Sequence, residues 1–262
     1  KTDAGIIAQY LYIFENPNEI NNKELFVMNA KHKYSYSDIH LQEHLSWREI
    51  LKKFGRDDMY IVNPDGTIIY SVNKGCDYGT NLLTGPYADT GLGRVFKKSS
   101  ELKLGESAFE DITAYEPNFN KKTAFLAMPI YFKKDYEGSI IFQLPLEQIN
   151  SIMNFNNEYD KVGLGETGEA FLIGSDLIMR NNSRFLNEIN NQDVKSAKTT
   201  VGYFKIDTDS TSSSIKGLSE TTVSSDSNNN EVITSYAPID VYGEKWGIVV
   251  KINSDEALEH SD

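Results

Sequence analysis

The chain has 262 residues and a hydrophobic content of 39%, which is enough for the packed cores of one large domain or two ordinary ones. Its net charge of −12 argues against a nucleic-acid-binding surface, which would need a basic face. Cys76 is the only cysteine and excludes an internal disulfide framework or thiolate zinc cluster, and no apolar run approaches the ~20 residues of a transmembrane helix.

Helical spacing of apolar residues is typical of the N-terminal region. The first predicted helix runs to about Phe14, and Asn16-Pro17-Asn18 should end or kink it because proline disfavours a helical residue before it. Further helices are predicted near 21–33 and 38–54, and Gly55 is placed to terminate the latter. The chain begins with lysine and shows no signal-peptide pattern, so we expect it to be a fragment of a longer protein.

Strand-like alternation begins at Met59, and the segment Met59–Tyr70 predicts a β-hairpin. Its turn, Asn63-Pro64-Asp65-Gly66, combines a proline that fixes φ with a glycine that accepts a positive φ. A long loop, a short helix, three strands and a further helix are predicted to follow. Their expected bounds are 73–93 for the loop, 90–98 for the short helix, 107–115, 122–132 and 137–145 for the strands, and 146–154 for the last helix.

A second module is predicted to begin at the glycine-rich segment Gly163–Glu169. The stretch 207–230 is dominated by Ser, Thr, Asp and Asn, so we expect a mobile excursion with a short helical turn near 215–220. Ser254 should cap a final helix over 255–260. The predicted strands of this module are 169–174, 177–181, 231–241 and 245–253.

The two modules follow one plan. Met59–Tyr70 and Glu169–Arg180 each join two apolar runs through a short polar turn, as a β-hairpin requires. A later strand in each carries an aromatic residue, alanine, proline and isoleucine in that order, within Phe125–Ile130 and Tyr236–Ile239. The repetition favours two copies of a small sheet module. Tandem modules of this kind are commonly sensors, so we expect a binding pocket and not a catalytic centre.

Three stretches carry a resemblance to a known family. They are Asp77–Tyr87, then Gly165–Gly174 with Met179-Arg180 and Ser183–Phe185, and finally Ser235–Ile239 with Trp246–Ile248. They resemble the extracytoplasmic double Cache, or tandem PAS-like, domains of bacterial methyl-accepting chemotaxis proteins and related sensor histidine kinases. The stretches span nearly the whole chain in family order, and they specify the domain more strongly than its ligand.

The resemblance implies an α+β fold with two PAS-like modules, mainly antiparallel in their sheets, on a long N-terminal helix. A helical stalk with packing helices would precede a membrane-distal module, a membrane-proximal module and the start of a helix toward the membrane. Their expected bounds are 1–57, 58–155, 156–253 and 254–262. Flanking helices absent from this chain would anchor the protein in the cell inner membrane, with this domain periplasmic or extracellular. The stalk would form a homodimer in the full-length receptor.

In many relatives the distal module holds a small-molecule ligand, and we expect a pocket between the first sheet and the loop that covers it. Asp77–Tyr87 would form the roof. Because strand side chains alternate, Asp111, Thr113 and Tyr115 should share a face, and an aspartate opposite tyrosines would suit a cationic or hydroxylated solute. The alternative is that the aromatic residues are simply core. The predicted ligand-binding residues are Tyr60, Tyr70, Asp77, Tyr78, Tyr87, Asp111, Thr113, Tyr115, Phe125 and Ala127.

Three further constellations have two interpretations each. Arg180 and Arg184 could clamp a carboxylate in the second module, or form structural ion pairs with Asp176 or the acidic loop. His40 and His44 lie four residues apart and would share a helix face, as metal ligands can, but solvated histidines are the favoured interpretation. Gly163-x-Gly165-x-x-Gly168 opens a strand instead of a helix, so it does not predict a dinucleotide site.

No catalytic constellation stands out, and the predicted function is binding. We expect an extracytoplasmic ligand-sensing domain of a transmembrane chemoreceptor, which binds a small solute in the distal module and signals across the membrane. We expect no enzymatic activity, metal or cofactor in this domain and no nucleic-acid partner. The alternatives are the sensor domain of a histidine kinase or cyclase, or a partner-protein or adhesion module without a small ligand.

Overall fold

In the computed structural model, which describes residues 3–28, 34–226 and 230–259, helices and antiparallel strands form two units. Unit 1 comprises Lys1–Pro145 and unit 2 comprises Leu146–Asp262. This mixture of helices and antiparallel sheets confirms the predicted α+β class. The predicted helix over 21–33, which contains His32, and the predicted helical end at His260 lie partly outside the described residues. No helix in the described ranges is long and apolar enough to cross a bilayer.

The N-terminal helix of unit 1 ends near the predicted point. Helix α1 (Asp3–Gln9) continues into a π-helical turn, Tyr10–Phe14, and the chain leaves the helix before Pro17. In the described part of the next predicted helix, only a 3-10 helix forms, Ile20–Leu25. The Asn16 amide donates to the carbonyls of Tyr12 and Lys23, both at 3.0 Å, and such side-chain bonds to the backbone compete with a regular helix.

Helix α2 (Ser35–Phe54) ends as its sequence predicts. Gly55 adopts the left-handed conformation with φ of 56°, and its N–H bonds back to the last turn. Trp47 and Leu51 of this helix pack on one face of the first sheet, against Met59, Val72 and other apolar residues.

The sheet of unit 1 has the strand order β2-β1-β5-β4-β3, and all its neighbours are antiparallel. Helix α3 (Gly91–Ser99) packs on β3, β4 and β5. The core beneath α3 contains buried residues from the loop before it, from the strands and from the N-terminal helix. The strands are β1 (Asp58–Val62), β2 (Ile68–Ser71), β3 (Ala108–Tyr115), β4 (Lys121–Phe132) and β5 (Asp135–Leu144).

Unit 2 begins with helix α4 (Glu147–Met153) and has a sheet with the order β6-β9-β8-β7. In chain order these strands correspond to β1-β5-β4-β3 of unit 1, so the predicted duplication is present in the topology. The strands are β6 (Glu169–Ile173), β7 (Glu220–Ser225), β8 (Glu231–Val241) and β9 (Glu244–Asn253), and the remaining helices are α5 (Gln192–Ala197), α6 (Asp209–Ile215) and α7 (Ser254–Glu259).

Two predictions for unit 2 are wrong. The stretch 207–230 is predicted above as a mobile excursion with a short helical turn near 215–220, but its described residues form α6, which Thr208 begins through a capping box with Thr211, and β7. The predicted strand 177–181 is reduced to isolated bridges, because Leu177 turns the chain with a φ of 63° and Ile178 pairs with Lys205 instead.

The last helix of unit 2 is bound to the segment that precedes β6. The carboxylate of Glu256 in α7 accepts hydrogen bonds from the backbone N–H of Glu166 at 2.6 Å and of Thr167 at 2.9 Å. The Thr167 hydroxyl also donates to this carboxylate. Gly165 has a φ of 48°, and a methyl group there would collide with Glu256. The glycine-rich segment is therefore shaped around an acidic side chain of its own unit.

Candidate functional site

The loop between β2 and α3 is held over the first sheet by backbone pairing with the edge strand β2. Ile68 donates to the carbonyl of Thr80 at 2.9 Å, and Gly79 donates to the carbonyl of Ile68 at 3.1 Å. Gly79 has a φ of 72°, and a side chain there would collide with the backbone of Gly5. This pairing directs Asp77 into the interior, where it is 1% exposed.

Asp77 lies among tyrosines beneath the loop. The Tyr115 hydroxyl donates to Oδ2 of Asp77. Burial raises the pKa of Asp77, and the hydrogen bond from Tyr115 opposes that rise. Burial, followed by the negative charge of Asp77, also raises the pKa values of Tyr60 and Tyr115. The Tyr60 hydroxyl donates to Oε1 of Gln143 at 3.3 Å, which extends the polar group to β5.

Three buried side-chain atoms of this interior have no hydrogen-bond partner among the described residues: Oδ1 of Asp77, Oγ1 of Thr113 and Nε2 of Gln143. Phe125 connects them, since its ring lies 5.1 Å from that of Tyr115 and its Cα pairs across the sheet with that of Gln143. Buried polar atoms in folded proteins are nearly always paired. The core beneath the loop thus contains an acceptor, a hydroxyl and an amide donor that have no partner among the described residues.

The prediction that Asp111 shares a face with Thr113 and Tyr115 is wrong. A β-bulge shifts the register of β3 against β4 between Glu110 and Thr113, so one additional residue separates them. Glu110 faces α3, where it pairs with Arg94 and Lys98, and Thr113 resumes that face beside Gly91. Asp111 lies within the bulge, where its carboxylate accepts from the N–H of Ile112 at 2.6 Å.

The structure brings together eight of the predicted ligand-binding residues in the core beneath the loop, namely Tyr60, Asp77, Tyr78, Tyr87, Thr113, Tyr115, Phe125 and Ala127. Tyr70 lies on the α2 side of the sheet, and Tyr87 donates to or accepts from Cys76, with their Oη and Sγ atoms 3.1 Å apart. Gln143 was missed, although its position two residues from the inward-facing Ile141 on β5 was a readable signal.

Tyr70, together with the core residue Tyr78, surrounds the buried Lys74 and forms a cluster with it. The Lys74 ammonium lies 4.5 Å from the ring centre of Tyr70, 5.5 Å from that of Tyr78 and 5.8 Å from that of Tyr12. It donates one hydrogen bond, to the carbonyl of Ser71. Burial lowers the pKa of Lys74 to about 7, and the nearby carboxylate of Asp58 opposes this shift.

His40 and His44 lie in the same cluster, so their interpretation as solvated histidines is wrong. Their rings stack with centres 4.3 Å apart. Nε2 of His44 donates to the carbonyl of Glu24 at 2.7 Å, and its Nδ1 accepts from the Tyr70 hydroxyl at 2.6 Å. Burial, followed by the charge of Lys74, lowers the pKa of His40 to about 2 and that of His44 to about 4. The described residues contain no group of three or more potential ligands arranged for a metal ion.

The two candidate arginines of unit 2 are engaged by their own unit. Arg180 is buried, donates to the carbonyl of Ile178 at 2.8 Å and pairs with Asp176 at 3.0 Å. Arg184 lies 3.8 Å from the ring centre of Tyr159 and donates to the carbonyl of Gly168 at 2.7 Å. Both guanidinium groups therefore have local partners that orient them.

Two cavities open in unit 1. One of about 560 Å³ lies between the segment 20–24, the C-terminal half of α2, the chain at 72–76 and the β3–β4 turn. One of about 310 Å³ lies between α1, the first turn of α2 and β2. In the described part of the chain, neither is lined by Asp77, Thr113 or Gln143.

A family model described as Cache domain matches residues 20–261. Cache domains of this type are extracellular sensor domains of membrane receptors, and they bind ligands rather than catalyse reactions. No curated protein sequence matches the chain significantly.

Several solved structures share the fold at low sequence identity. The ligand-binding domain of the Pseudomonas fluorescens chemoreceptor CtaA, in complex with L-leucine, is 11% identical over 91% of this chain and 84% of that one, with a TM-score of 0.52. A domain of a protein named as sensory box/GGDEF family, from Vibrio parahaemolyticus, is 12% identical over 86% and 82%, with a TM-score of 0.55. The extracellular domain of a protein named as histidine kinase vpHK1S-Z8 is 11% identical over 98% and 85%, with a TM-score of 0.54.

Proposed function

The chain belongs to the Cache domain family, as its sequence resemblance indicated, and from this premise we propose that unit 1 is the ligand-binding module of a transmembrane receptor. In this proposal unit 1 is membrane-distal, and unit 2 is membrane-proximal. Flanking helices outside this sequence anchor the receptor in the inner membrane, with the domain in the periplasm or outside the cell. The exposed apolar residues of the N-terminal helix, Ile6, Ile7, Tyr10 and Phe14, support a homodimer through that helix.

The proposed ligand is a small solute with a cationic amino group, bound beneath the loop between β2 and α3. The observation that carries this proposal is the buried Asp77 carboxylate, whose Oδ1 has no partner in the described structure. A buried carboxylate is costly unless a cation or several donors accompany it. An ammonium group on a ligand would supply both the opposite charge and the donor.

An α-amino acid fits the remaining atoms. Nε2 of Gln143 can donate to a ligand carboxylate, and the hydroxyl of Thr113 can donate or accept. The aromatic walls, Tyr60, Tyr115 and Phe125, suit an aliphatic stem. The complex of CtaA with L-leucine makes amino acids the first class to test, although likeness at 11% identity extends only to the fold.

The proposed output is chemotaxis, and the sensor of a histidine kinase or cyclase is the second candidate. The similarity of fold to the vpHK1S-Z8 and sensory box/GGDEF domains supports this alternative. In either case the ligand can shift the receptor only by its difference in affinity for two conformations. The cytoplasmic sequence that follows unit 2 would distinguish the two outputs.

A thermal-shift screen of amino acids, amines, organic acids and purines tests the ligand class, because specific binding raises the unfolding temperature. For the best ligand, we expect Asp77→Asn to weaken binding about 100-fold in calorimetry, equivalent to about 3 kcal/mol. Asparagine keeps the acceptor for Tyr115, so the protein should stay folded. Asp89→Asn is the matched control, since Asp89 is fully exposed at the start of the α3 region.

The outcomes separate the candidates. Undiminished affinity in Asp77→Asn contradicts the amino-group site, and a screen in which no amine or amino acid binds favours a partner-protein or adhesion module. Asp111→Asn tests the predicted part of Asp111 directly. Because of the bulge at Asp111, we expect that variant to bind within about threefold of the wild type.

A further inference from the structure

The cavity of about 560 Å³ in unit 1 is large enough for a small organic molecule. Its walls come from segments that are distant in sequence, and three of its charged side chains, Arg48, Glu49 and Lys52, lie on α2. Asp77 does not line it, so it is a different place from the proposed amino-group site.

Cationic side chains dominate this cavity. Five line it, and none forms an ion pair with a carboxylate in the described ranges: Lys23, Arg48, Lys52, Arg56 and Lys74. Four carboxylates line it as well, but Lys121 binds that of Asp57 at 3.2 Å. The other three are Glu24, Glu49 and Glu116. Lys74, whose pKa is about 7 and which lies near Asp58, is only partly charged at neutral pH, so the other four cations face three carboxylates here, although the whole chain has a net charge of −12.

Four of these cationic side chains are buried or half-buried, so water solvates their charges only in part. Lys74 is 1% exposed, and its hydrogen bond goes to a backbone carbonyl. Lys23, Arg48 and Arg56 are half-buried. Burial lowers the pKa of Lys23, which is the direction expected for an amine that lacks a close anionic partner. A concave surface with these charges concentrates positive potential and attracts anions.

The arginines give the site its selectivity. Arg48 lies on α2, one turn before Lys52, and Arg56 follows the end of that helix. A guanidinium group presents paired N–H donors that match the oxygens of a carboxylate or a phosphate. Arg48 and Arg56 both line the cavity, and no described residue pairs with either guanidinium group, so together they form a recognisable anion-binding arrangement.

We propose that this cavity is a second ligand site, which binds a small solute bearing a carboxylate or phosphate group through Arg48 and Arg56. Lys23, Lys52 and Lys74 also line it. The two sites share no lining residue, although Cys76 and Glu116 of this cavity adjoin Asp77 and Tyr115 in the chain.

Titration calorimetry at low ionic strength tests the site with two probes, inorganic phosphate and succinate. We expect at least one of them to bind, and we expect the Arg48→Gln/Arg56→Gln variant to bind it more than tenfold more weakly. The Lys198→Gln/Lys216→Gln variant removes the same charge from exposed positions of unit 2 and should bind within about twofold of the wild type. Binding of phosphate alone or of succinate alone assigns the anionic group.

Two results would overturn the proposal. One is that neither probe binds at about 10 mM, and the other is that the two double variants lose affinity equally, as a general charge effect predicts. Circular dichroism and urea unfolding establish that the variants fold. Phosphate and succinate carry no amino group, and the amino-group ligand is titrated separately, so failure of the amino-group site and failure of this site are separate results.

Discussion

The interior of unit 1 and the interior of unit 2 are built on the same order of four strands but differ in how their buried polar groups are paired. Among the described residues, unit 1 contains six buried side-chain polar atoms without a hydrogen-bond partner, and unit 2 contains one, on Ser254. The six belong to Tyr12, Ser37, His40, Asp77, Thr113 and Gln143.

Two buried polar side chains of unit 2, Glu169 and Asn181, are well paired. The buried Glu169 carboxylate accepts from the Ser183 hydroxyl and from the N–H of Arg184 at 3.1 Å, and Lys251 lies 3.7 Å away. The Asn181 side chain accepts from the N–H of Leu172 at 2.7 Å and donates to the backbone. The same strand order is therefore found with two kinds of interior. In unit 2 nearly all buried polar atoms have hydrogen-bond partners, and in unit 1 several have none among the described residues. This difference supports unit 1 as the module that binds.

Glu169→Ala should have the largest effect, because it removes the centre of the paired interior in unit 2. The buried Ser183 hydroxyl and the backbone N–H of Arg184 would lose their acceptor, and the half-buried Lys251 would lose its partner, which we expect to lower the free energy of unfolding of unit 2 by about 3 kcal/mol. Urea unfolding followed by Trp246 fluorescence in a Trp47→Phe background reports on unit 2 alone, since the chain has two tryptophans and each unit has one.

The exposed Glu166 three residues earlier supplies the control. Glu166→Ala should change the free energy by less than about 0.5 kcal/mol, since its side chain is exposed. Equal effects of the two substitutions would show that the interior of unit 2 does not depend on its pairing and would remove the contrast with unit 1.

Acid should destabilise unit 1 through its buried histidines. The folded pKa of His44, about 4, lies below the ordinary value of 6.5, so the unfolded chain takes up a proton first as the pH falls. Its stabilising contribution is complete above pH 6.5 and is lost between 6.5 and about 4. From ~1.4 kcal/mol per pKa unit, this loss is on the order of 3 kcal/mol.

The contribution of His44 to the pH dependence of stability is measured as the difference between the wild type and a His44 variant. Asp58, whose pKa burial raises to about 7, titrates with the opposite sign over much of the same range. His44→Gln removes the titration and can keep the donor to Glu24, so wild type minus variant isolates the histidine. Unfolding is followed by Trp47 fluorescence in a Trp246→Phe background. Parallel stability curves for the two proteins between pH 6.5 and 4 would contradict a buried neutral His44.

The smallest predicted effect compares the matched helices α3 and α6, which both begin after a threonine. Thr208 forms a reciprocal capping box with Thr211, whereas Thr90 accepts one bond from the N–H of Gly93, at 3.4 Å. We expect Thr208→Ala to cost about 1.5 kcal/mol and Thr90→Ala about 0.5 kcal/mol. Unfolding curves from the two tryptophans measure both values. A larger loss of stability for Thr90→Ala than for Thr208→Ala would show that the hydrogen bonds do not determine the strength of these caps.

Features that depend on neighbouring residues in the chain could be predicted from the sequence. The left-handed end of α2 at Gly55 and the hairpin turn at Asn63–Gly66 follow from local backbone preferences, and most strands follow from alternation. The duplication was readable because both modules place these local signals in the same order.

Features that depend on distant partners were not predicted. Strand β7 has a polar Thr- and Ser-rich sequence and becomes a strand through pairing with β8, as between Thr221 and Ser235. His40 and His44 are buried because the N-terminal segment covers α2, which helical spacing alone does not indicate. The assumption that successive strand side chains strictly alternate between the two faces cannot predict the extra residue of the bulge at Asp111. In the candidate site, the roof residue Asp77 was identified, whereas the amide of Gln143 on the floor was missed.

The clasp of Glu256 on Glu166 and Thr167 gives unit 2 a mechanical property. Its carboxylate joins the start of α7 to the segment that leads into β6, although about ninety residues separate them in the chain. Because these hydrogen bonds are charge-assisted, a small displacement of that segment should be transmitted directly to α7. Unit 2 therefore has a short and direct mechanical connection between β6 and α7.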